Sequence, residues 1–525
     1  MREQWGSRLG FVLAVAGSAV GLGNIWRFPY ICGMNGGGAF VLLYLLCVLL
    51  VGFPMLLVEL VLGRAAQTST VGAFSTMTKA KNGASDTFAI LLLIAGLCLL
   101  FTKSFGYAIF IIAGAVLLLL TGWRAFGYIS GVVVPILITG YYAVIGGWTL
   151  LYMYKSFSGA LTFTDPAGAD AVMTPIAHAT GSMAPAVIIC TLVFMLMCML
   201  VVFCGVKNGI ERWSKILMPL LFILLLVLIV RGLSLPGAQK GLRFFLSPDF
   251  SKLNGDSVLA ALGHSFFSMS LGMGIVLTYG SYLKKKENIV QSAITVLGLD
   301  TLAALMAGLA IFPAVFAMGF EPNSGPVLVY QILPAAFNRI PGNASWLWNG
   351  LFFMMIGVAA LTSGISLLEP PVRVCVDEFK WPRKFSIILI SLICAGIGCA
   401  CAVSMSNWDR FPVIPKLLAK LWSDGTPGSL FALLDNFACN WMLPLLGFFS
   451  AIYVGWIWGV NQAAKELRRG NKTAYGNIWL IISGLRDTEG SGGRKISRAS
   501  LVVFWGFFIR FVTPVLVLTA FLHAI

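Results

Sequence analysis

The sequence predicts an all-α protein that crosses a membrane many times. Three observations carry this: 58% of the 525 residues are hydrophobic, only 11% are charged, and the mean hydropathy is +0.90. A soluble globular chain is roughly half apolar and about a quarter charged. Apolar runs of about 20 residues, the length that crosses lipid at ~1.5 Å of helix rise per residue, recur along the chain between short polar stretches. Residues 1–525 therefore read as one membrane domain.

Hydropathy and the inward bias of basic residues place spans at about 9–31, 39–62, 125–154, 184–204, 214–232, 256–282, 289–317, 346–377, 385–405, 431–459 and 500–522. Eleven spans put the N-terminus in the cytoplasm and the C-terminus outside. Lys284, Lys285 and Lys286, then Lys380, Arg383 and Lys384, then Lys465, Arg468 and Arg469 all fall in loops that this order makes cytoplasmic. The net charge of +16 thus reflects orientation in a membrane and excludes nucleic acid as a partner. Arg2, Glu3 and Arg8 precede the first apolar run, which lacks a small-residue cleavage pattern, so the first helix is expected to be retained. The eleven cysteines lack metal-ligand spacing and read as small packing residues within lipid.

Two shorter apolar stretches, 89–101 and 107–122, belong to an inserted hydrophobic hairpin at about 81–122. Each is too short for the ~30 Å hydrocarbon core, so the pair forms either two thin or tilted crossings or a re-entrant loop. An odd number of crossings would invert every later loop. The Gly-rich, basic segment 461–499 is expected as a cytoplasmic linker, and its apolar run 478–485 suits either the membrane surface or a buried anchor.

The first span carries Gly17, Gly21 and Gly23 at its centre, and the sixth carries Ser268-Met269-Ser270-Leu271-Gly272-Met273-Gly274. Glycine weakens a helix, and in lipid a break survives only where the freed backbone groups face a protein-lined site. Matched breaks predict an inverted-repeat (5+5) transporter fold with broken first and sixth helices, a first repeat at about 9–232, a second at about 256–459, and an added eleventh span. Glycines that merely let helices approach are the alternative for either motif taken alone.

Arg8-Leu9-Gly10, Gly21-Leu22-Gly23-Asn24-Ile25-Trp26-Arg27-Phe28-Pro29-Tyr30 and Asn35-Gly36-Gly37-Gly38-Ala39-Phe40 closely resemble the first helix and first external loop of the neurotransmitter:sodium symporter family, particularly its bacterial leucine-transporter-like amino-acid transporters. The likeness continues through Gly63-Arg64, Lys207-Asn208-Gly209-Ile210-Glu211-Arg212, Ser268 to Gly274, Leu361-Thr362-Ser363 and Arg510-Phe511-Val512-Thr513-Pro514. It covers nearly the whole chain except the insertion.

The resemblance implies two sodium ions. One site would use Ala19, Asn24, Ser268 and Asp300, completed by the substrate carboxylate, a set of oxygen ligands suited to a hard cation. The other would use Gly17, Val20, Ala359, Thr362 and Ser363, although paired hydroxyls also bond back to their own helix. The implied substrate lining is Ser18, Ala19, Leu22, Gly23, Ile138, Tyr142, Phe267, Ser268, Ser270, Met273, Ser363 and Leu367. Amides at Leu22 and Gly23, at the positive end of a half-helix, suit a carboxylate, with the Tyr142 hydroxyl as a second donor. Tyr142 alone is equally read as an interfacial aromatic. Met273 stands where relatives carry a stiffer Phe, which favours a hydrophobic or aromatic side chain. Monoamine-transporting relatives place Asp at the position of Gly21, so a carboxylate-bearing substrate is favoured here.

Asp300 replaces the Asn common in the family, and Ala304 stands where chloride-independent relatives hold an acid. Asp300 is therefore expected both to ligate sodium and to supply the negative charge, so that chloride is not required. Proton coupling through Asp300 and His264 is the alternative, against the commoner role of a lone intramembrane His as a hydrogen-bonded packer. Arg27 and Asp435 match an external gate, and Arg2 and Asp377 with Trp5 and Tyr282 an internal one; surface bridges worth under ~1 kcal/mol are the alternative.

The resulting expectation is sodium-coupled symport of a small amino acid into a prokaryotic cell across its inner membrane, by alternating access, with lipid as the surrounding partner. A transporter-like amino-acid sensor and a proton-coupled transporter are the alternatives. No enzyme chemistry is indicated, and a Gly-rich phosphate loop that would mark an ATP-driven pump is missing.

Overall fold

The computed structural model describes residues 3–77, 114, 116, 119–181, 183–320, 328–339, 344–407, 429–469 and 505–524. The first helices are α1 (Arg8–Ala19), α2 (Gly23–Met34), α3 (Gly38–Ala66), α4 (Thr70–Thr76), α5 (Arg124–Phe157) and α6 (Pro166–Ala177). Next come α7 (Met183–Phe203), α8 (Val206–Leu233), α9 (Ala238–Leu246), α10 (Gly255–Ser268), α11 (Ile275–Ser281) and α12 (Ile289–Ala317). The last are α13 (Leu333–Asn338), α14 (Ser345–Glu378), α15 (Arg383–Asn407), α16 (Leu430–Ile457), α17 (Val460–Arg468) and α18 (Trp505–Thr519).

Among the described residues, eight helices are long and apolar enough to cross a membrane: α3, α5, α7, α8, α12, α14, α15 and α16. The α1 and α2 pair, bent by 47°, makes a ninth. The half-helices α10 and α11 and the shorter α18 lie at the remaining two expected spans. The expected hairpin at 81–122 lies outside the described residues apart from 114, 116 and 119–122. The expected linker does not begin as irregular chain: its first residues form the amphipathic α17, and residues 470–504 lie outside the described ones.

Local chemistry sets where these helices begin and where they widen. Ser7 accepts from the Gly10 amide, Asn288 accepts from the Gln291 amide, and Asn254 and Ser257 form a reciprocal capping box, so exposed first-turn amides are satisfied. Prolines act further in. The widened turns Gly23–Arg27, Val48–Gly52, Ile129–Val133, Leu328–Ile332, Phe437–Met442 and Phe508–Val512 each end two residues before a proline: Pro29, Pro54, Pro135, Pro334, Pro444 and Pro514. A proline has no amide hydrogen and crowds the preceding turn, so the ladder steps out to the next carbonyl and the helix continues.

Burial separates scaffold from centre. The apolar window of α14 is 83% buried and that of α5 72%, against 39% for α7 and 44% for α8, so α5 and α14 form the interior against which the broken helices lie. Close approach of α3 and α11 depends on Gly63, where a Cβ would stand 2.0 Å from the Leu277 carbonyl oxygen.

Next to Gly63, Arg64 is wholly buried and gathers three segments. Its Nε pairs with Glu466 Oε1 of α17 at 2.9 Å, another nitrogen donates to the Glu466 carbonyl, and Nη1 donates to the carbonyls of Glu287 at 2.5 Å and Arg469 at 3.2 Å. Removing one partner of a buried ion pair strands the other charge, at a cost of about 3–5 kcal/mol. Glu466→Ala should therefore lower the thermal unfolding midpoint of the purified protein sharply. Adding Arg64→Met should restore part of the loss; an additive double variant would show that the two residues do not act as a pair.

Candidate substrate and ion site

The site begins where two helices stop. α1 ends at Ala19; Val20 turns out of helical geometry with ψ at 83°, and helical structure resumes at Gly23. α10 ends at Ser268, and Ser270, Gly272 and Gly274 all take positive φ, at 53°, 79° and 67°, before α11 starts at Ile275. Glycine adopts that region freely; Ser270 does so under strain.

The two breaks face and brace one another. Ser18 donates to Ser270 Oγ at 3.1 Å, and Ser270 donates to the Ser18 carbonyl at 2.9 Å. Ser363 of α14 donates to the same carbonyl at 3.2 Å. Glu59 of α3, fully enclosed, accepts the Gly272 amide at 2.7 Å, so a carboxylate holds the second break in shape. Gly21 fits only without a side chain, since a Cβ there would come 2.3 Å from Ser363 Oγ.

Between the breaks, α5 and α14 lies a small cavity. Its lining contains Ser18, Ala19, Leu22, Gly23, Ile138, Tyr142, Phe267, Ser270, Met273, Ser363 and Leu367. Of the expected lining, Ser268 is displaced to the neighbouring polar cluster, while Gly21 and Ile275 also reach the cavity. Hydroxyls of Ser18, Ser270, Ser363 and Tyr142 mark a polar end, and Ile138, Phe267, Met273, Ile275 and Leu367 an apolar one. The Tyr142 hydroxyl is buried and makes no well-formed hydrogen bond among the described residues, although the Leu22 amide and Ser363 hydroxyl neighbour it. Buried polar groups are normally satisfied, so this hydroxyl is poised for a bound acceptor.

Beside the cavity, Asp300 of α12 is wholly buried. Asn24 Nδ2 donates to Asp300 Oδ1 at 2.8 Å and to its carbonyl at 3.0 Å, and Ser268 Oγ lies 2.9 Å from both carboxylate oxygens. Tyr44 donates to Ser268 Oγ at 3.3 Å and to Asp300 Oδ2 at 3.5 Å. No Lys or Arg pairs with this carboxylate among the described residues. Carboxylate, carboxamide and hydroxyl oxygens converging without a basic partner suit a hard monovalent cation. Across α1, Thr362 Oγ1 donates to the Ala359 carbonyl at 3.0 Å and the Val358 carbonyl at 3.3 Å, and Gly17 faces it closely enough that a Cβ would lie 3.3 Å from Thr362 Cβ. Gly17, Val20, Ala359, Thr362 and Ser363 belong to adjoining parts of α1 and α14, with both hydroxyls turned onto carbonyls.

His264 stacks on Phe28 at 5.7 Å and lies 5.2 Å from the Tyr44 ring; among the described residues neither imidazole nitrogen has a hydrogen-bond partner. The ring packs as expected of a lone buried histidine, without the expected hydrogen bond to a described residue. Ala304 is buried on α12, one turn beyond Asp300.

The outer gate lacks its expected pairing, and the inner pair is not tested. Arg27 and Asp435 form no ion pair; the guanidinium stands 4.8 Å over the Phe267 ring, and Asp435 accepts from Cys439 Sγ at 3.4 Å. Arg2 lies outside the described residues, and Asp377 pairs with Arg373 at 2.7 Å and accepts the Ser69 amide at 2.8 Å. Trp5 donates to the Tyr279 carbonyl at 2.9 Å and meets Tyr282 edge-on at 6.2 Å. Tyr282 donates to buried Glu369 at 2.5 Å, Arg383 clamps that carboxylate through two bonds at 2.8 and 2.7 Å, and Glu3 adds a contact to Arg383 at 3.4 Å. Glu369, Arg383 and Glu3 were not expected here; an acidic residue before Pro370-Pro371 was the available signal.

A family model described as the sodium:neurotransmitter symporter family matches residues 2–86 and 167–484. The chain is 32% identical over 526 residues to the uncharacterized sodium-dependent transporter YhdH of Bacillus subtilis, covering 99% of this chain and 97% of that one. An uncharacterized sodium-dependent transporter of Haemophilus influenzae is 33% identical over 487 residues, 91% of this chain and 94% of the relative. Among solved structures, that of MhsT in complex with L-phenylalanine matches all of both chains with a TM-score of 0.75 and 34% identity. With its broken helices, the cavity between them and a buried oxygen cluster, the chain belongs to the sodium:neurotransmitter symporter family, a family of transporters.

Proposed function

We propose that the protein carries a hydrophobic or aromatic amino acid into a prokaryotic cell together with two sodium ions. The observation that carries this reading is the unpartnered Tyr142 hydroxyl at the polar end of a cavity whose far wall is apolar. A substrate carboxylate accepts from Tyr142 and from the first amides of α2, where the helix dipole is positive. Its other face completes the oxygen set of Ala19, Asn24, Ser268 and Asp300 around one sodium, so amino acid and ion each raise the affinity of the other. The ammonium meets carbonyls freed by the two breaks, and the side chain lies among Ile138, Phe267, Met273 and Leu367. The L-phenylalanine complex of MhsT supports an aromatic cargo. A second sodium between Gly17, Val20, Ala359, Thr362 and Ser363 would use the lone pairs that the Thr362 and Ser363 hydroxyl oxygens keep while they donate to their present acceptors.

Asp300 supplies a fixed negative charge beside the first ion, which supports transport without chloride. Alternating access then exchanges an outer closure near Arg27, Phe267 and Asp435 for an inner one built from Trp5, Tyr282, Glu369 and Arg383. The bacterial relatives support a place in the cytoplasmic membrane, and the basic loops support an N-terminus inside. A second reading, proton coupling, is favoured by one observation: the buried imidazole of His264 has two free nitrogens.

Uptake of radiolabelled amino acids by the purified protein in liposomes, with sodium, chloride and pH gradients imposed one at a time, tests these assignments. Sodium-driven accumulation of L-phenylalanine or another large apolar amino acid, unchanged when gluconate replaces chloride, is the expected result. Accumulation driven by a proton gradient without sodium would favour the second reading, and binding without counterflow would identify a sensor. Tyr142→Phe should raise the KM for uptake about tenfold to a hundredfold, the worth of a hydrogen bond to a charged group, while sodium dependence persists. Asp300→Asn should weaken sodium activation about a hundredfold or more, the effect of removing a carboxylate from a buried ion. Added chloride should recover part of that loss.

A further inference from the structure

On the face of α16 and α18 turned away from the site, one charged side chain is left without a counter-charge. Arg510 lies in the widened turn Phe508–Val512, and its Nε donates to the Gly455 carbonyl at 2.9 Å. Gly455 is itself in the widened turn Tyr453–Ile457, the last turn of α16, and a Cβ there would come 3.3 Å from Arg510 Cγ. The glycine therefore leaves room for the arginine stem to lie between the two helices. No carboxylate pairs with Arg510 among the described residues, and its two terminal guanidinium nitrogens carry no hydrogen bond there.

The surroundings are aromatic and outward-facing. The guanidinium carbon stands 5.5 Å over the Trp456 ring. Phe511 meets Trp456 edge-on at 5.5 Å and Phe507 at 5.6 Å. Trp456, Phe507 and Phe511 are 50%, 52% and 48% exposed, which on a membrane-spanning surface means contact with lipid. The Trp456 indole donates to the Arg510 carbonyl at 3.3 Å, so the ring is fixed relative to the charge it flanks. α17, with Lys465 and the Arg64 to Glu466 pair, begins within a few residues of Gly455, which on the orientation proposed above sets this cluster at the cytoplasmic edge of the bilayer.

We propose that Arg510, Gly455, Trp456, Phe507 and Phe511 form a binding site for an acidic phospholipid of the inner leaflet. A guanidinium with two free nitrogens matches the oxygens of one phosphate, and flanking aromatic faces receive the glycerol and upper acyl chains. A long basic side chain at a span's end reaches toward the headgroups. Charge decides between lipids. A zwitterionic headgroup brings its own ammonium, which competes with Arg510 for the phosphate, whereas phosphatidylglycerol brings none. The site lies away from the transport cavity and does not depend on what the protein carries.

The test reads Trp456 directly. Its emission is isolated as the difference between the full-length protein and its Trp456→Phe counterpart in vesicles containing brominated phosphatidylglycerol or brominated phosphatidylcholine. In the wild-type protein, half-quenching should need about fivefold less phosphatidylglycerol than phosphatidylcholine, the attraction one basic residue near an anionic surface provides. In Arg510→Gln, measured against its own Trp456→Phe double variant, that ratio should fall to about one. Equal quenching by the two lipids in the wild-type protein overturns the proposal without any charge variant, and a preference unchanged in Arg510→Gln overturns the role of the arginine.

Discussion

Hydrocarbon gives an unpaired backbone amide or carbonyl nothing to bond, and the architecture is the way this chain meets that constraint. Two helices are interrupted in the interior, which is tolerable only because each interruption is enclosed by the other. The serine bonds from Ser18 to Ser270 and from Ser363 to the Ser18 carbonyl tie them together, and Glu59 takes the amide of Gly272. α5 and α14 enclose the pair. Residues of both breaks line the cavity, so the cavity and its polarity arise from the same interruption.

The polar groups of the interior are divided by function. Around Asp300 the donors are Asn24, Ser268 and Tyr44, all neutral, so the carboxylate keeps its affinity for a cation. Around Glu369 and Glu466 the donors are guanidinium groups, so those carboxylates are already neutralised and act as fastenings. A buried acid partnered by neutral donors and a buried acid partnered by arginine therefore do opposite work in one membrane domain.

Much of this was legible in the sequence, and the reasons differ by feature. Spans were legible because lipid filters for apolar length, and the ends of α3, α5, α12 and α14 fall within a few residues of the hydropathy boundaries. The breaks were legible because glycine pairs in mid-span have few other uses. Tyr44 was not: it sits in the run Phe40 to Leu46 as one aromatic among leucines, and only the third dimension brings it to Ser268. Arg64 and Glu466 are 402 positions apart, a pairing no local pattern announces. Arg27 shows the reverse limit. Its identity was readable, but its neighbour is the Phe267 ring and not Asp435, a choice of partner made by tertiary packing that no local pattern encodes.

The grip of Arg64 also bears on how this end of the molecule is held. One guanidinium binds the end of α3, the chain after α11 and the start of the segment beyond α16, so a single side chain ties three segments together. The stretch before α1 is fastened by individually weaker means: the Trp5 indole on a carbonyl, the Gly6 amide on Glu211 at 2.7 Å, and Glu3 at the margin of Arg383. The first arrangement hangs on one keystone, whereas the N-terminal stretch is moored at several independent points.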